Sequence, residues 1–194
     1  MRPCNILALL EDVVLLLEIN ANAQRIRLHT DIAADLPQAL GDETKLRHAL
    51  TNIVANAVKY NRPDGNVWIH AGLDAQTNMI EIGIRDDGIG IKTEQIPRIF
   101  ERFYRADTPD NSSRPGTGLG LTIVKMVIDK HGGQIDVDST YGKGTLFRLL
   151  LPTIPAQDPA SAQHLGAHEP LDDMDDNLQE SPEQPDSDSQ EDGV

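Results

Sequence analysis

Two asparagines four residues apart, Asn52 and Asn56, sit in the run Asn52-Ile53-Val54-Ala55-Asn56-Ala57-Val58-Lys59-Tyr60. Three glycine-bearing segments follow: Asp86-Asp87-Gly88-Ile89-Gly90, Gly116-Thr117-Gly118-Leu119-Gly120 and Gly142-Lys143-Gly144-Thr145. Asparagine is a poor helix former, so two of them at i and i+4 on one helix face need a reason. Glycines admit a backbone to close range of a ligand, and a glycine run ahead of a helix offers N–H groups and the positive helix end to phosphates. Lys59 can neutralise phosphate charge. Each segment alone is weak, because glycine pairs mark ordinary turns. Together, in this order and with Ile99-Phe100-Glu101-Arg102-Phe103-Tyr104-Arg105 between the first two glycine loops, they describe one pocket for a phosphate-bearing ligand.

The elements that must position these residues are legible from periodicity. From Ile6 to about Asn22, Leu9, Leu10, Val13, Leu16 and Leu17 recur at helical spacing, and Ile26, Leu28, Thr30 and Ile32 then alternate as in a half-buried strand. A second helix starts near Asp42-Glu43, where acidic residues suit the macrodipole, and runs to Tyr60. It carries Lys45, His48, Asn52, Asn56 and Lys59 on one stripe and Leu46, Leu50, Ile53 and Ala57 on another. Lys45 and His48 read as a solvated face, and Tyr60 either lines the pocket or packs on the core. Strands are expected at Val67–Leu73 and Met79–Arg85, the second delivering Asp86 at its end, with Asp87 facing solvent. A short helix over Glu94–Phe103, a long one over Gly118–His131, and strands at Gln134–Asp138 and Thr145–Leu151 complete the series. The implied fold class is α+β, a two-layer sandwich with a mixed sheet covered on one face by helices.

These segments resemble, in order, the asparagine box, the first glycine box, the phenylalanine box and the later glycine boxes of the catalytic, ATP-binding domain of bacterial sensor histidine kinases. That family lies within the wider gyrase and heat-shock-chaperone ATPase group. The resemblance covers about residues 5 to 153 and implies the Bergerat fold, ATP with Mg2+ as ligand, and phosphoryl transfer to a histidine. It places the magnesium-binding asparagine at Asn56; the ion keeps much of its water, so one or two amide oxygens plus phosphates suffice. Asp86 is placed to accept a hydrogen bond from the adenine amino group, with Gly88 and Gly90 beside the ring. Gly116, Thr117, Gly118, Leu119 and Gly120 hold phosphates, Arg105 lies nearest the terminal phosphate, and residues 106–114 form a lid. Gly142, Gly144 and Thr145 read as a hairpin turn or a pocket edge. Phe100 and Phe103 read as core or as a surface for a partner helix. Relatives that hydrolyse ATP are expected to carry glutamate where this chain has Asn52; an amide cannot take a proton at neutral pH, which points toward histidine kinases.

The net charge of −14 is concentrated at one end: residues 154–194 hold twelve Asp or Glu, five prolines and no Lys or Arg. Such a segment cannot bury enough apolar surface to offset its ordering entropy and is expected to be a disordered acidic tail beyond a domain of residues 1–153. Nucleic acid is disfavoured as a partner by the sign of the charge. The single cysteine, Cys4, suits a reducing compartment, and no stretch approaches the ~20 apolar residues of a membrane helix, so a cytoplasmic chain without membrane contact is expected. None of the six histidines has the setting of the family's phosphoacceptor. The expected partners are a histidine-bearing dimerisation domain, in trans or in a longer parent chain, and a response regulator downstream. The alternative is a non-catalytic ATP-binding module that regulates a partner.

Overall fold

The computed structural model describes residues 1–106 and 116–154. Strand β1 (Arg2–Cys4) leads into helix α1 (Ile6–Ala23), strand β2 (Arg27–Ile32), strand β3 (Ala39–Gly41) and helix α2 (Glu43–Lys59). Then come β4 (Asn66–Asp74), β5 (Met79–Asp86), a 3-10 helix (Thr93–Arg98), α3 (Gly120–Lys130), β6 (Gln134–Thr140) and β7 (Gly144–Pro152). Five strands form one mixed sheet in the order β2-β4-β5-β7-β6, in which β2 and β4 are parallel and the other pairs antiparallel. The expected α+β sandwich is therefore present.

Alternation decides which side the helices cover. Val67, Ile69 and Ala71 of β4, Ile80, Ile82 and Ile84 of β5, and Phe147, Leu149 and Leu151 of β7 are buried on one face. Against them pack Leu46, Leu50, Ile53 and Ala57 of α2, Leu9, Leu10, Val13 and Leu17 of α1, and Val124 and Ile128 of α3. Each fully buried aliphatic contributes about 1.5–3 kcal/mol. On the opposite face the ring of His29 stacks on Trp68 at 5.6 Å and Arg85 lies over the same indole at 5.4 Å. No helix among the described residues is long and apolar enough to cross a membrane.

Helix α1 runs one residue past the expected end, but Leu16, expected on its apolar stripe, is exposed along with Leu15 and Ile19. Helix α2 is capped by Asp42, whose carboxylate accepts from the Lys45 N–H at 3.1 Å. Its start is also tied to the end of α3, because the Asp42 N–H donates to His131 Nε2 at 2.9 Å while His131 Nδ1 reaches the Val127 carbonyl at 2.7 Å. The first ring nitrogen accepts, so the second carries the proton.

Three sequence expectations are corrected here. The helix over Glu94–Phe103 is a 3-10 turn of Thr93–Arg98 followed by single turns, because Pro97 lacks an N–H and Phe103 takes a φ of 64°. Helix α3 begins at Gly120 and not Gly118, since Gly118 has a φ of 72°, which a right-handed helix excludes. Strands β1 and β3 were not expected: three-residue strands show no periodicity, and theirs is set by pairing Arg2–Cys4 with Ala39–Gly41. The expected lid, apart from Ala106, and the acidic tail apart from Ile154 lie outside the described residues.

Candidate functional site

Helix α2, the loop after β5 and the glycine run ahead of α3 enclose a cleft of about 430 Å3. Its polar wall holds Asn52, Asn56, Lys59 and Tyr60 from α2, Asp86 and Gly90 from the loop, Arg105, residues Gly116 to Gly120, and Thr145. The sequence-expected residues thus converge on one cavity, with one exception. Gly88 is off the wall: its N–H donates to Asp86 Oδ1 at 2.9 Å, and a side chain there would strike the backbone of Tyr60 and Asn61.

Asp86 ends β5, a strand whose Ile80, Ile82 and Ile84 anchor it in the core, so its carboxylate enters the cleft from below with little freedom. Oδ1 accepts from the N–H groups of Gly88 at 2.9 Å and Thr145 at 3.3 Å, which leaves Oδ2 for a ligand donor. Burial pushes the carboxyl up to about 6, against the lowering effect of those two backbone bonds. Asp87, expected to face solvent, does not. It accepts from the Asn66 N–H at 2.7 Å, Asn66 Nδ2 at 3.0 Å and Arg62 at 3.2 Å, and thereby clamps the turn after α2 to the start of β4. Burial raises its pKa, and these bonds outweigh burial to hold it below the ordinary value.

The hairpin between β6 and β7 closes the same side. Gly142 N–H donates to the Ile89 carbonyl at 2.7 Å, and Ser139 Oγ accepts from the Ile91 N–H at 2.8 Å while lying 2.9 Å from Thr145 Oγ1. Gly144, at φ 108°, runs against the Asp86 backbone so closely that no Cβ fits. The segment is thus a hairpin turn, and of Gly142, Gly144 and Thr145 only Thr145 lines the cleft.

The base of the cleft lies at the C-terminal end of α2, where the Ile89 N–H meets the Tyr60 carbonyl at 3.1 Å. The opposite end is built by Asn52 and the start of α3: a Cβ on Gly120 would lie 3.4 Å from Asn52 Oδ1. Asn52 Nδ2 is buried and has no hydrogen-bond partner among the described residues, an unmet donor on the cleft wall. Lys59 Nζ lies 4.9 Å over the Tyr60 ring and beside Gly116. The site is thus polarised, with a carboxylate at one end and Lys59 toward the glycine run, and Arg105 is a further cation on its wall. Between them Ile89, Ile91, Ile99, Leu121 and Ile123 supply apolar wall. This is the make-up of a pocket for a flat heterocycle joined to an anion.

Lys45 stays off the wall and pairs with Asp42 at 2.6 Å, as a solvated residue does. His48 is likewise exposed, as expected of a solvated face, and it also borders the cleft one turn before Asn52. Phe100 packs on the core, with its carbonyl accepting from Thr122 Oγ1 at 3.0 Å. Phe103 is 72% exposed, its N–H bound to the Gly118 carbonyl at 3.1 Å.

Comparison with known proteins agrees with this geometry. The chain is 38% identical over 153 residues to sensor protein GacS of Pseudomonas syringae pv. syringae, covering 77% of this chain and 17% of that protein. It is 42% identical over 115 residues to the phosphate regulon sensor protein PhoR of Pseudomonas aeruginosa, covering 59% of this chain and 26% of PhoR. The chain thus spans about a sixth to a quarter of these relatives' length. Among solved structures it resembles the mycobacterial sensor histidine kinase MprB, with TM-score 0.69 and 29% identity over 80% of this chain and 100% of that one. It also resembles full-length ShkA in complex with AMPPNP, with TM-score 0.68 and 31% identity over 79% of this chain and 31% of ShkA. Residues 41–155, which include the whole described cleft wall, match the model of the histidine kinase-, DNA gyrase B- and HSP90-like ATPases, and the chain belongs to that family, with the catalytic domains of sensor histidine kinases as its relatives.

Proposed function

We propose that this chain binds Mg-ATP in the cleft and passes the terminal phosphoryl group to a histidine on a separate dimerisation domain, as the catalytic part of a two-component kinase. The observation that carries the reading is the fixed Asp86 carboxylate: with Oδ1 occupied by two backbone donors, Oδ2 is left to accept from a ligand donor, which the adenine amino group supplies. Asn56, Asn52 and the N–H groups of Gly116 to Gly120 meet the phosphates, with Lys59 and Arg105 offsetting their charge.

The donor set bears on magnesium as well. Among the described residues no group of three or more His, Cys, Asp or Glu is placed to hold a metal, while the Asn56 amide lines the cleft. The Asn56 amide oxygen would suit an ion that needs few ligands from the protein, and such an ion would supply charge neutralisation at the phosphates. The residues of this chain act by positioning: transfer forms a bond from the acceptor imidazole nitrogen to phosphorus and breaks the bond to the bridging oxygen, which leaves with its electron pair on ADP. Asn52 has no basicity to activate water, which favours transfer over hydrolysis.

In this reading residues 1–153 are the catalytic unit, residues 154–194 an acidic appendage, the compartment is the cytoplasm, and a response regulator receives the phosphoryl group next. Calorimetric titration with a non-hydrolysable ATP analogue, with and without magnesium, tests it first. Magnesium-assisted 1:1 binding is expected, followed by labelling of a kinase dimerisation domain from radioactive ATP. Binding without labelling leaves the regulatory module as the better account; no binding overturns both.

A further inference from the structure

Beside Asp86 the cleft ends in a small network of hydroxyls. Ser139 of β6 stands directly opposite Thr145 of β7 in the antiparallel register, so the sheet itself brings the two side-chain oxygens to 2.9 Å. Thr145 lines the cleft and Ser139 does not. Ser139 Oγ has two further partners, the Ile91 N–H at 2.8 Å and the Gly144 carbonyl at 2.9 Å.

These partners fix where the protons lie. A serine hydroxyl holds one proton and two lone pairs. A carbonyl only accepts, so the Ser139 proton goes to Gly144; the Ile91 N–H only donates, so it fills one lone pair. The second lone pair remains, and the bond to Thr145 therefore runs from the Thr145 hydroxyl to Ser139. Thr145 Oγ1 has spent its proton and keeps lone pairs alone for a ligand. Around it the backbone donors are committed as well: the N–H groups of Gly88 and Thr145 to Asp86 Oδ1, that of Ile89 to the Tyr60 carbonyl, and that of Ile91 to Ser139. Asp86 Oδ2 and Thr145 Oγ1 are thus two acceptors on neighbouring residues of the wall. A single ligand group that serves both carries two hydrogens.

We propose that Ser139 is a positioning residue that makes this end of the cleft selective for a primary amino group. By taking the Thr145 proton it holds Oγ1 as acceptor for the second N–H of the adenine 6-amino group, whose first goes to Asp86 Oδ2. The proposal rests on the adenine reading given above and adds to it a residue outside the cleft wall. Without Ser139 the Thr145 proton turns to Asp86 or to a ring nitrogen of the base. The first removes an acceptor from the amino group, and the second serves a base without an amino group equally well.

The test is calorimetric titration of the full chain with ADP and with purine riboside 5′-diphosphate, in which hydrogen replaces the 6-amino group. The ratio of the two affinities isolates that group. A preference for ADP is expected, reduced about three- to tenfold in Ser139→Ala and kept in Ser139→Thr, which retains a hydroxyl. Thr145→Val should lower the ratio to the same level, and adding Ser139→Ala to it should lower it no further. A hairpin that is merely loosened weakens both nucleotides alike and leaves the ratio in place. An unaltered ratio in Ser139→Ala or in Thr145→Val, with ADP still preferred, overturns the proposal and spares the adenine reading; so does a further fall in the double variant, because Ser139 then acts by another route. Equal binding of the two nucleotides by the unsubstituted chain, or binding of neither, overturns the adenine reading and the proposal with it.

Discussion

At the scale of single residues, Asp86 concentrates the chemistry and the cost of the site. Its folded-state pKa of about 6 lies above the ordinary value of 3.8 because burial disfavours the charged form. The contribution of this group to stability is therefore fully present below pH 3.8 and is lost as pH rises through 6, by an amount on the order of 3 kcal/mol. Denaturant unfolding of the empty chain between pH 4 and 7 should show this decline, and Asp86→Asn should flatten it; parallel curves for the two proteins contradict the assignment. Nucleotide binding runs the other way. An ionised acceptor is wanted, so affinity for the ATP analogue should fall below pH 6, and that step should vanish in Asp86→Asn, whose affinity is about tenfold lower throughout. Asn56→Ala should reduce phosphoryl transfer by a hundredfold or more, roughly the loss of one or two polar contacts at a reacting phosphate, without lowering the melting temperature. In the proposed pose His48, exposed at the border of the cleft, lies beyond Asn52 toward the phosphates, so His48→Ala should weaken binding of the triphosphate and leave adenosine binding unchanged. Equal loss for both ligands would reduce His48 to wall material.

At the scale of elements, the backbone carries what side-chain types could not announce. Long periodic segments were legible: α2, β4, β5 and β7 lie within two residues of where hydrophobic spacing places them. The misses have physical causes. Pro97 and the left-handed Phe103 deny the segment after β5 the i to i−4 bonds of an α-helix, and apolar spacing over so few residues cannot tell the two apart. Asp87 was misread because its partners, Asn66 and Arg62, sit about two dozen residues away in sequence, and no local pattern records that meeting. The same holds for His131, which joins the end of α3 to the start of α2 across eighty-nine residues. Removing it in His131→Ala leaves the Asp42 N–H unmet and should cost about 1–3 kcal/mol in chemical denaturation. Gly118 shows how tightly elements interlock: at φ 72° an added Cβ would lie 2.7 Å from the Phe103 carbonyl carbon. Gly118→Ala should lower stability by about 1–2 kcal/mol and also weaken nucleotide binding, since the glycine run and Phe103 cannot both keep their paths.

At the scale of the whole molecule, charge and fold are separate properties. Residues before 154 hold 17 basic and 19 acidic side chains, so removing the final segment changes the net charge from −14 to −2. A chain ending at Pro155 should retain its melting temperature and nucleotide affinity while eluting far earlier from an anion exchanger; loss of affinity would show that the acidic segment acts on the pocket. The pocket itself has a consequence for how long the molecule lasts. It holds a buried carboxylate ionised above pH 6 and, at Asn52, a donor without a partner among the described residues. A nucleotide bound as proposed would relieve both. Ligand at a hundred times its dissociation constant stabilises a folded chain by about 2.7 kcal/mol, which lowers the fraction open to proteases by about the same hundredfold. In a starved cell the supply of such chains would then be set by degradation, and the depletion of one small molecule would be recorded as a falling number of these chains.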